Sequence, residues 1–168
     1  MAAVAGSGVR RAGYDRTVVL VATRISAGTG PSYEDLASDR RNSDDVDRLL
    51  LLTVGHGTLH SEELVQLLGA KRVQLVVDVR SVPGSRRHPQ FGRAEMERWL
   101  PAAHIDYRWE PDLAGFRGLV AGSVNTALRH PSFRGYADYM ATDRFRAALR
   151  RLLDDSACRW TAVMCAES

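Results

Sequence analysis

The stretch VQLVVDVRSVPGSRRHPQFGR, Val73–Arg93, decides the fold. Its first seven residues form a continuous, β-branched apolar run of strand length, the pattern of a strand covered on both faces. A polar loop with Pro83, Gly84 and Pro89 breaks the run. Arg93–Ala103 then places Met96, Trp99 and Leu100 at helical spacing, one apolar stripe of an amphipathic helix. A buried strand that leads through a loop into a helix is the unit of a parallel sheet.

The same alternation extends in both directions. Upstream, Leu49–Val54 is a short apolar run that stops at Gly55 and reads as a strand. Ser61 offers an N-cap for a helix over Glu62–Leu68, with Gly69 as its stop. Downstream, Ile105–Trp109 reads as a third strand, and Glu110–His130 as a long glycine-rich loop, a type that is usually functional or mobile. Ser132–Met140 is expected to be helical. Thr142 caps a helix over Asp143–Leu153, whose stripe is Phe145, Leu149, Leu152 and Leu153. Trp160–Met164 is a fourth buried strand ending at Cys165. The expected class is therefore α/β, a single domain with a mainly parallel sheet flanked by helices. Residues 1–48 are polar, Gly-, Ser- and Asp-rich, and are expected to form a flexible N-terminal extension with one short strand within Thr17–Ile25. The domain is expected to cover 49–168.

Composition narrows the function classes. The chain has 168 residues and a 45% hydrophobic share, enough for one core, since chains near this size bury about 70% of their unfolded surface. Two cysteines, Cys158 and Cys165, give no disulfide framework and no metal-ligand spacing. They fit a reducing compartment. No apolar run has the length of a membrane span, and the N-terminus lacks the order of a signal peptide. The expected location is cytoplasmic, with no membrane partner, no metal and no cofactor. The net charge is +3, and of the 23 basic residues only Lys71 is a lysine. Coding bias explains such a preference. So does anion recognition, because arginine carries a rigid fork of donors. Local clustering must separate the two.

In open α/β sheets ligands bind beyond the carboxyl ends of the strands. Those ends carry Gly55 and His56, then Asp78, Arg80 and Ser81, then Glu110 with Leu113-Ala114-Gly115, and finally Cys165 and Glu167. Arg80, Arg86, Arg87 and Arg93 crowd the loop after the second strand, with Ser81, Ser85, His88 and Gln90 as hydrogen-bonding neighbours and Phe91 as an apolar anchor. Such a cluster suits a phosphate or carboxylate, and it also suits an ordinary solvated loop. Asp78 inside an apolar strand needs a partner, which Arg80 or a backbone amide supplies. That makes it either an orienting group for Arg80 or a structural ion pair. His56 between two glycines is a general base, a ligand donor or a structural residue. Cys165 is either a nucleophile or a small buried hydrophobe. Tyr136 and Tyr139 share a helical face with Phe133 and are expected to pack into the core.

Four segments in order, TVGHGTL (Thr53–Leu59), VVDVRSVPGSRRHPQF (Val76–Phe91), PSFRGYADYM (Pro131–Met140) and VMCAE (Val163–Glu167), carry a resemblance. The chain resembles the bacterial and archaeal family called domain of unknown function 488. The resemblance implies an α/β domain, with site positions at Gly55, His56, Asp78, Arg80, Ser81, Arg86, Gln90, Phe91, Arg134, Tyr136, Tyr139, Cys165 and Glu167. The family's last motif continues to a Cys-His-Arg triplet, then a helix and a strand. This sequence ends at Ser168, so those two elements are expected to be missing.

The functional expectation is an enzyme or enzyme remnant acting on an anionic small molecule. Arg80, Arg86 and Arg87 hold the anion, Asp78 orients Arg80, and Cys165 with Glu167 faces the reacting group. Gly55, Ser81, Gln90, Arg134 and Tyr136 line the ligand and His56 assists. The alternative is a non-catalytic module for a ligand or nucleic acid. A third reading, a rhodanese-like sulfurtransferase, rests on the bare Asp78-Val79-Arg80 after an apolar strand.

Overall fold

The computed structural model describes residues 51–84 and 87–165 together with Val21–Ala22. Of the expectations for residues 1–48, only Val21–Ala22 falls within the described residues. That dipeptide, β1, pairs antiparallel with Leu52 and Thr53. The remaining strands are β2 (Leu51–Gly55), β3 (Leu75–Asp78), β4 (Asp106–Trp109) and β5 (Thr161–Cys165). The helices are α1 (Ser61–Ala70), α2 (Arg93–Ala102), α3 (Pro131–Met140) and α4 (Asp143–Cys158).

The sheet order is β1-β2-β5-β3-β4, and β2, β5, β3 and β4 run parallel. The chain steps from β2 past one vacant place to β3 and on to β4. It then returns through α3 and α4 and fills that place with β5. All four positions of β3 are buried, as its continuous apolar run requires.

Strand alternation divides the core into two layers. Leu52, Val54, Val76, Ala162 and Met164 point to one face, where Leu64 and Leu68 of α1 and Met96 and Leu100 of α2 cover them. Leu75 and Val77 point to the other, under Phe145, Ala148 and Leu152 of α4, with Tyr136 and Tyr139 of α3 alongside. The result is a three-layer α/β/α arrangement, the single α/β domain expected from the pattern. Burying each such large aliphatic or aromatic side chain contributes about 1.5–3 kcal/mol.

Several boundaries differ from the sequence pattern for local reasons. The N-cap of α1 is His60, not Ser61. The His60 backbone N–H donates to the Glu63 carboxylate at 2.7 Å, and an acid three residues into a helix serves that role. Gly69 does not stop α1. The left-handed turn falls at Arg72, φ 56°, where the Val73 N–H closes back on the Leu68 carbonyl. Helix α4 runs past Leu153 to Cys158, so Cys158 belongs to the helix, and its buried line is Phe145, Ala148, Leu152 and Ser156. Thr142 caps it, accepting from the Phe145 N–H at 3.3 Å. Phe133 is not in the core but 65% exposed. The loop after β3 contains a short 3-10 turn, Pro89–Phe91, which drives Phe91 fully into the core.

Candidate functional site

Parallel register aligns the strand ends. Gly55 stands opposite Cys165, and Asp78 opposite Met164 on the other side of β5. Trp109 ends beside Asp78. The four strand ends singled out in the sequence thus share one rim.

The densest polar group on that rim is built on Asp78, which is wholly buried. Its carboxylate accepts from the Arg80 backbone N–H at 3.0 Å, from Arg80 Nε at 2.8 and 3.1 Å, from Arg80 Nη2, and from the Tyr107 hydroxyl at 2.7 Å. Arg80 Nη2 also donates to the Phe91 carbonyl at 2.9 Å and touches Met96 Sδ. Trp109 Nε1 donates to the Arg80 carbonyl at 2.9 Å. Arg80 lies two residues beyond the strand end, close enough for its backbone N–H and its guanidinium both to donate to the Asp78 carboxylate. The pair ties β3, the loop to α2, and β4 together. Burial first, and the hydrogen bond to Asp78 second, push the Tyr107 hydroxyl well above its ordinary pKa. It therefore remains a donor throughout the physiological range.

His56 lies on the same face. Its ring stacks on Phe91 with centroids 4.5 Å apart, its Nδ1 lies 2.9 Å from the Gly57 carbonyl, and the His88 ring is 5.9 Å away. Gly57 adopts φ 50°, a conformation open to glycine. Gln90 Nε2 donates to the Leu59 carbonyl, and the Gln90 carbonyl accepts from Trp99 Nε1. Ser81 and Arg87 are exposed. Arg86 and Glu167 lie outside the described residues.

Desolvation holds the His56 pKa below its ordinary 6.5, aided by the positive charge of Arg80 and His88 and opposed by the Gly57 contact and by Asp78. The sign of the pH effect follows. Above the ordinary value both folded and unfolded chains carry a neutral His56. Below it the unfolded chain takes up a proton that the folded chain resists, so stability falls as pH falls through about 6.5. In urea titrations from about pH 8 to about pH 5, His56→Gln is expected to lose less stability than the parent chain. Equal slopes for the two proteins would show that His56 protonates freely in the fold.

Cys165 is placed differently from the Asp78 group. Because Asp78 pairs with Met164, alternation turns Cys165 to the opposite face, the side of α3 and α4. Tyr136 and Tyr139 are on that side, edge-on to Phe145 at 6.0 and 6.1 Å. Burial raises the Tyr136 pKa. Arg134 donates from Nε and Nη2 to the Leu128 carbonyl. The structure therefore brings together His56, Asp78, Arg80 and Gln90, and separately Arg134, Tyr136 and Tyr139. Gly55 and Cys165 lie between the two groups at the strand ends.

Two features escaped sequence reasoning. Tyr107, Trp109 and Met96 complete the Asp78–Arg80 group, and only the β3–β4 register makes them neighbours. A second network pins α4 to β4. Buried Glu110 accepts from Arg151 at 2.9 and 3.1 Å, and Asp155 bridges Arg108 and Arg159, which also reaches Asp106. Burial acts to raise the Asp155 pKa, but hydrogen bonds from Arg108 and Arg159 outweigh it and hold the carboxyl low. Much of the arginine content is thus spent on carboxylates inside the fold, which weakens composition alone as a sign of anion binding. Among the described residues, no group of three or more His, Cys, Asp and Glu side chains is arranged to hold a metal ion, and no helix is long and apolar enough to cross a membrane.

Comparison with curated proteins and with solved structures returned no match. A family model described as a domain of unknown function does match, over residues 60–168. The matched span takes in the Asp78–Arg80 group, α3 and Cys165. It begins after the Gly55-His56-Gly57 turn, which packs against the matched core through Phe91. On that match, over well above half of its length, the chain belongs to the DUF488 family.

Proposed function

We propose that the carboxyl rim of the sheet binds an anionic small molecule carrying a phosphate or carboxylate, and that the chain acts on it as an enzyme. The observation that supports this most is the shared rim. Gly55, Cys165 and Asp78 end three neighbouring parallel strands side by side, the usual ligand edge of such sheets. Arg80 is held rigid by Asp78, and its role is to set the course of the loop that follows. Exposed Arg87, with Arg86 beside it in sequence, supplies the positive charge. His56, neutral at rest, offers an imidazole beside the same loop. Cys165 stands at the end of the middle strand, where a ligand lying across the rim reaches it, and Glu167 follows it in sequence. Its role is the nucleophile.

The test is thermal unfolding of the 168-residue chain with inorganic phosphate, a nucleotide set and short oligonucleotides. A ligand at a hundredfold excess over its dissociation constant stabilises by about 2.7 kcal/mol. One class of small anion is expected to raise the midpoint. Arg87→Ala is expected to remove that rise while leaving the unliganded midpoint unchanged, and Cys165→Ser to retain it. No shift with any small anion, or a full shift in Arg87→Ala, sinks the reading. A shift with oligonucleotides alone that collapses with salt replaces it with nucleic-acid binding.

A further inference from the structure

The segment between β4 and α3 contains one 3-10 turn, Pro111–Leu113, and otherwise no regular structure, yet it is fixed at many points. Arg117 donates to the Pro111 carbonyl at 2.7 Å and lies 3.9 Å above the Tyr139 ring. Gly118 lies directly against Gly135 of α3. Asp138 Oδ1 accepts from Ser123 at 2.9 Å and from Asn125 at 2.6 Å. Arg134 grips the Leu128 carbonyl. Arg117, Ser123 and Asn125 are thus turned toward the body of the protein.

Leu113 and Ala114 are buried, but the apolar side chains that follow are turned outward. Phe116, Leu119, Val120, Val124 and Leu128, with Phe133 on α3, are exposed, from 39% at Leu128 to 88% at Val124. Single exposed apolar residues are ordinary, but six on one loop–helix unit mark an interaction surface. The carboxylate of Asp138 is turned inward, onto Ser123 and Asn125, so the charge left beside these side chains is basic. From Ala114 to Ala137 the sequence holds Arg117, Arg129 and Arg134 and no aspartate or glutamate.

We propose that this face docks a segment of a partner protein that combines apolar side chains with acidic ones. Exposed Arg129, with half-buried Arg134 nearby, selects an acidic partner and disfavours a second copy of the same face, because like charges across an interface are repulsive. The fixed backbone favours a shape-specific protein partner over a lipid surface. A bilayer needs no fixed arrangement and draws on larger basic clusters than three arginines. Pre-ordering also lowers the entropic cost of docking. This surface is independent of the proposed anion site.

The experiment is selection from a display library of random dodecapeptides on the full chain, with Leu119→Ser/Val124→Ser and Arg129→Glu as variants. Both variants alter exposed side chains, and their unfolding midpoints are compared with the parent to confirm the fold. The parent is expected to enrich peptides pairing Leu, Phe or Val with Asp or Glu. Their affinity is expected to fall at least about tenfold, or 1.4 kcal/mol, in the double serine variant, and to weaken in Arg129→Glu and at high salt. Absence of enrichment, or enrichment of sequences without acids, overturns the proposal. So does a dimer in sedimentation that Leu119→Ser/Val124→Ser dissolves, which would make a second copy the occupant. Co-sedimentation of the parent with phosphatidylserine vesicles, lost in that variant, would assign the face to lipid and overturn it equally.

Discussion

Asp78→Ala is expected to cost about 3–5 kcal/mol of folding free energy, the range for removing one partner of a buried ion pair. The reason lies in what remains. Arg80 is 7% exposed, and its Nε and Nη2 lose the carboxylate that accepts from both. The Tyr107 hydroxyl loses its acceptor as well. A stranded guanidinium must drag the loop after β3 outward to reach water, and the Phe91 carbonyl and Met96 contacts go with it. Against a typical total of about 5–15 kcal/mol, the variant is expected to lie near the edge of unfolding. Urea denaturation measures this, and the same experiment on Asp78→Leu/Arg80→Met shows what the pair is for. Well-packed apolar replacements of a buried pair are often neutral in stability. If the double variant folds normally but shows no ligand-induced rise in midpoint, the pair serves the loop's function. If it keeps that rise, the pair is structural only. A loss below about 1 kcal/mol for Asp78→Ala is the range of an exposed pair and would contradict the burial described.

The sequence reading reached the fold because the decisive signals were local. Val73–Val79 is too continuous and too β-branched for a half-exposed strand, and the Phe145–Leu152 stripe repeats at helical spacing. The Asp78–Arg80 pairing was also within reach, since Arg80 lies only two residues beyond the strand-end aspartate. What was not legible depended on register. Tyr107 is 29 residues from Asp78 and meets it only because β4 pairs with β3 and not with β2. The strand-end position of Cys165 is legible in the sequence, but its side of the sheet is fixed only by the pairing of Asp78 with Met164. A shift of one residue would have reversed it. Phe133 was assigned to the core because it shares a helical face with Tyr136. Helix α3 also makes a backbone contact that no hydrophobic pattern encodes.

That contact is Gly135 on Gly118, and Gly135→Ala is the change that tests it. A Cβ at Gly135 would lie 2.3 Å from the Gly118 carbonyl oxygen, 2.8 Å from its carbon and 2.9 Å from the Arg117 carbonyl oxygen. All three are backbone atoms, which cannot rotate aside as a side-chain tip can. In an isolated helix the same substitution gains about 1 kcal/mol, so the sign of the measured effect decides between two pictures. If the loop rests on α3 as described, overpacking outweighs propensity and the variant is expected to lose about 1–3 kcal/mol. The loss should come with a detached loop, because displacing Gly118 pulls Arg117 from the Pro111 carbonyl and the Tyr139 ring. Trypsin reports this directly. Arg117 and Arg129 flank the exposed Leu119, Val120, Val124 and Leu128, and cleavage after both should accelerate in Gly135→Ala under conditions where the rest of the chain stays folded. A stabilised variant with unchanged cleavage would mean that α3 and the loop are not in contact. The apolar face would then be a flexible segment, without the fixed geometry that a specific partner requires.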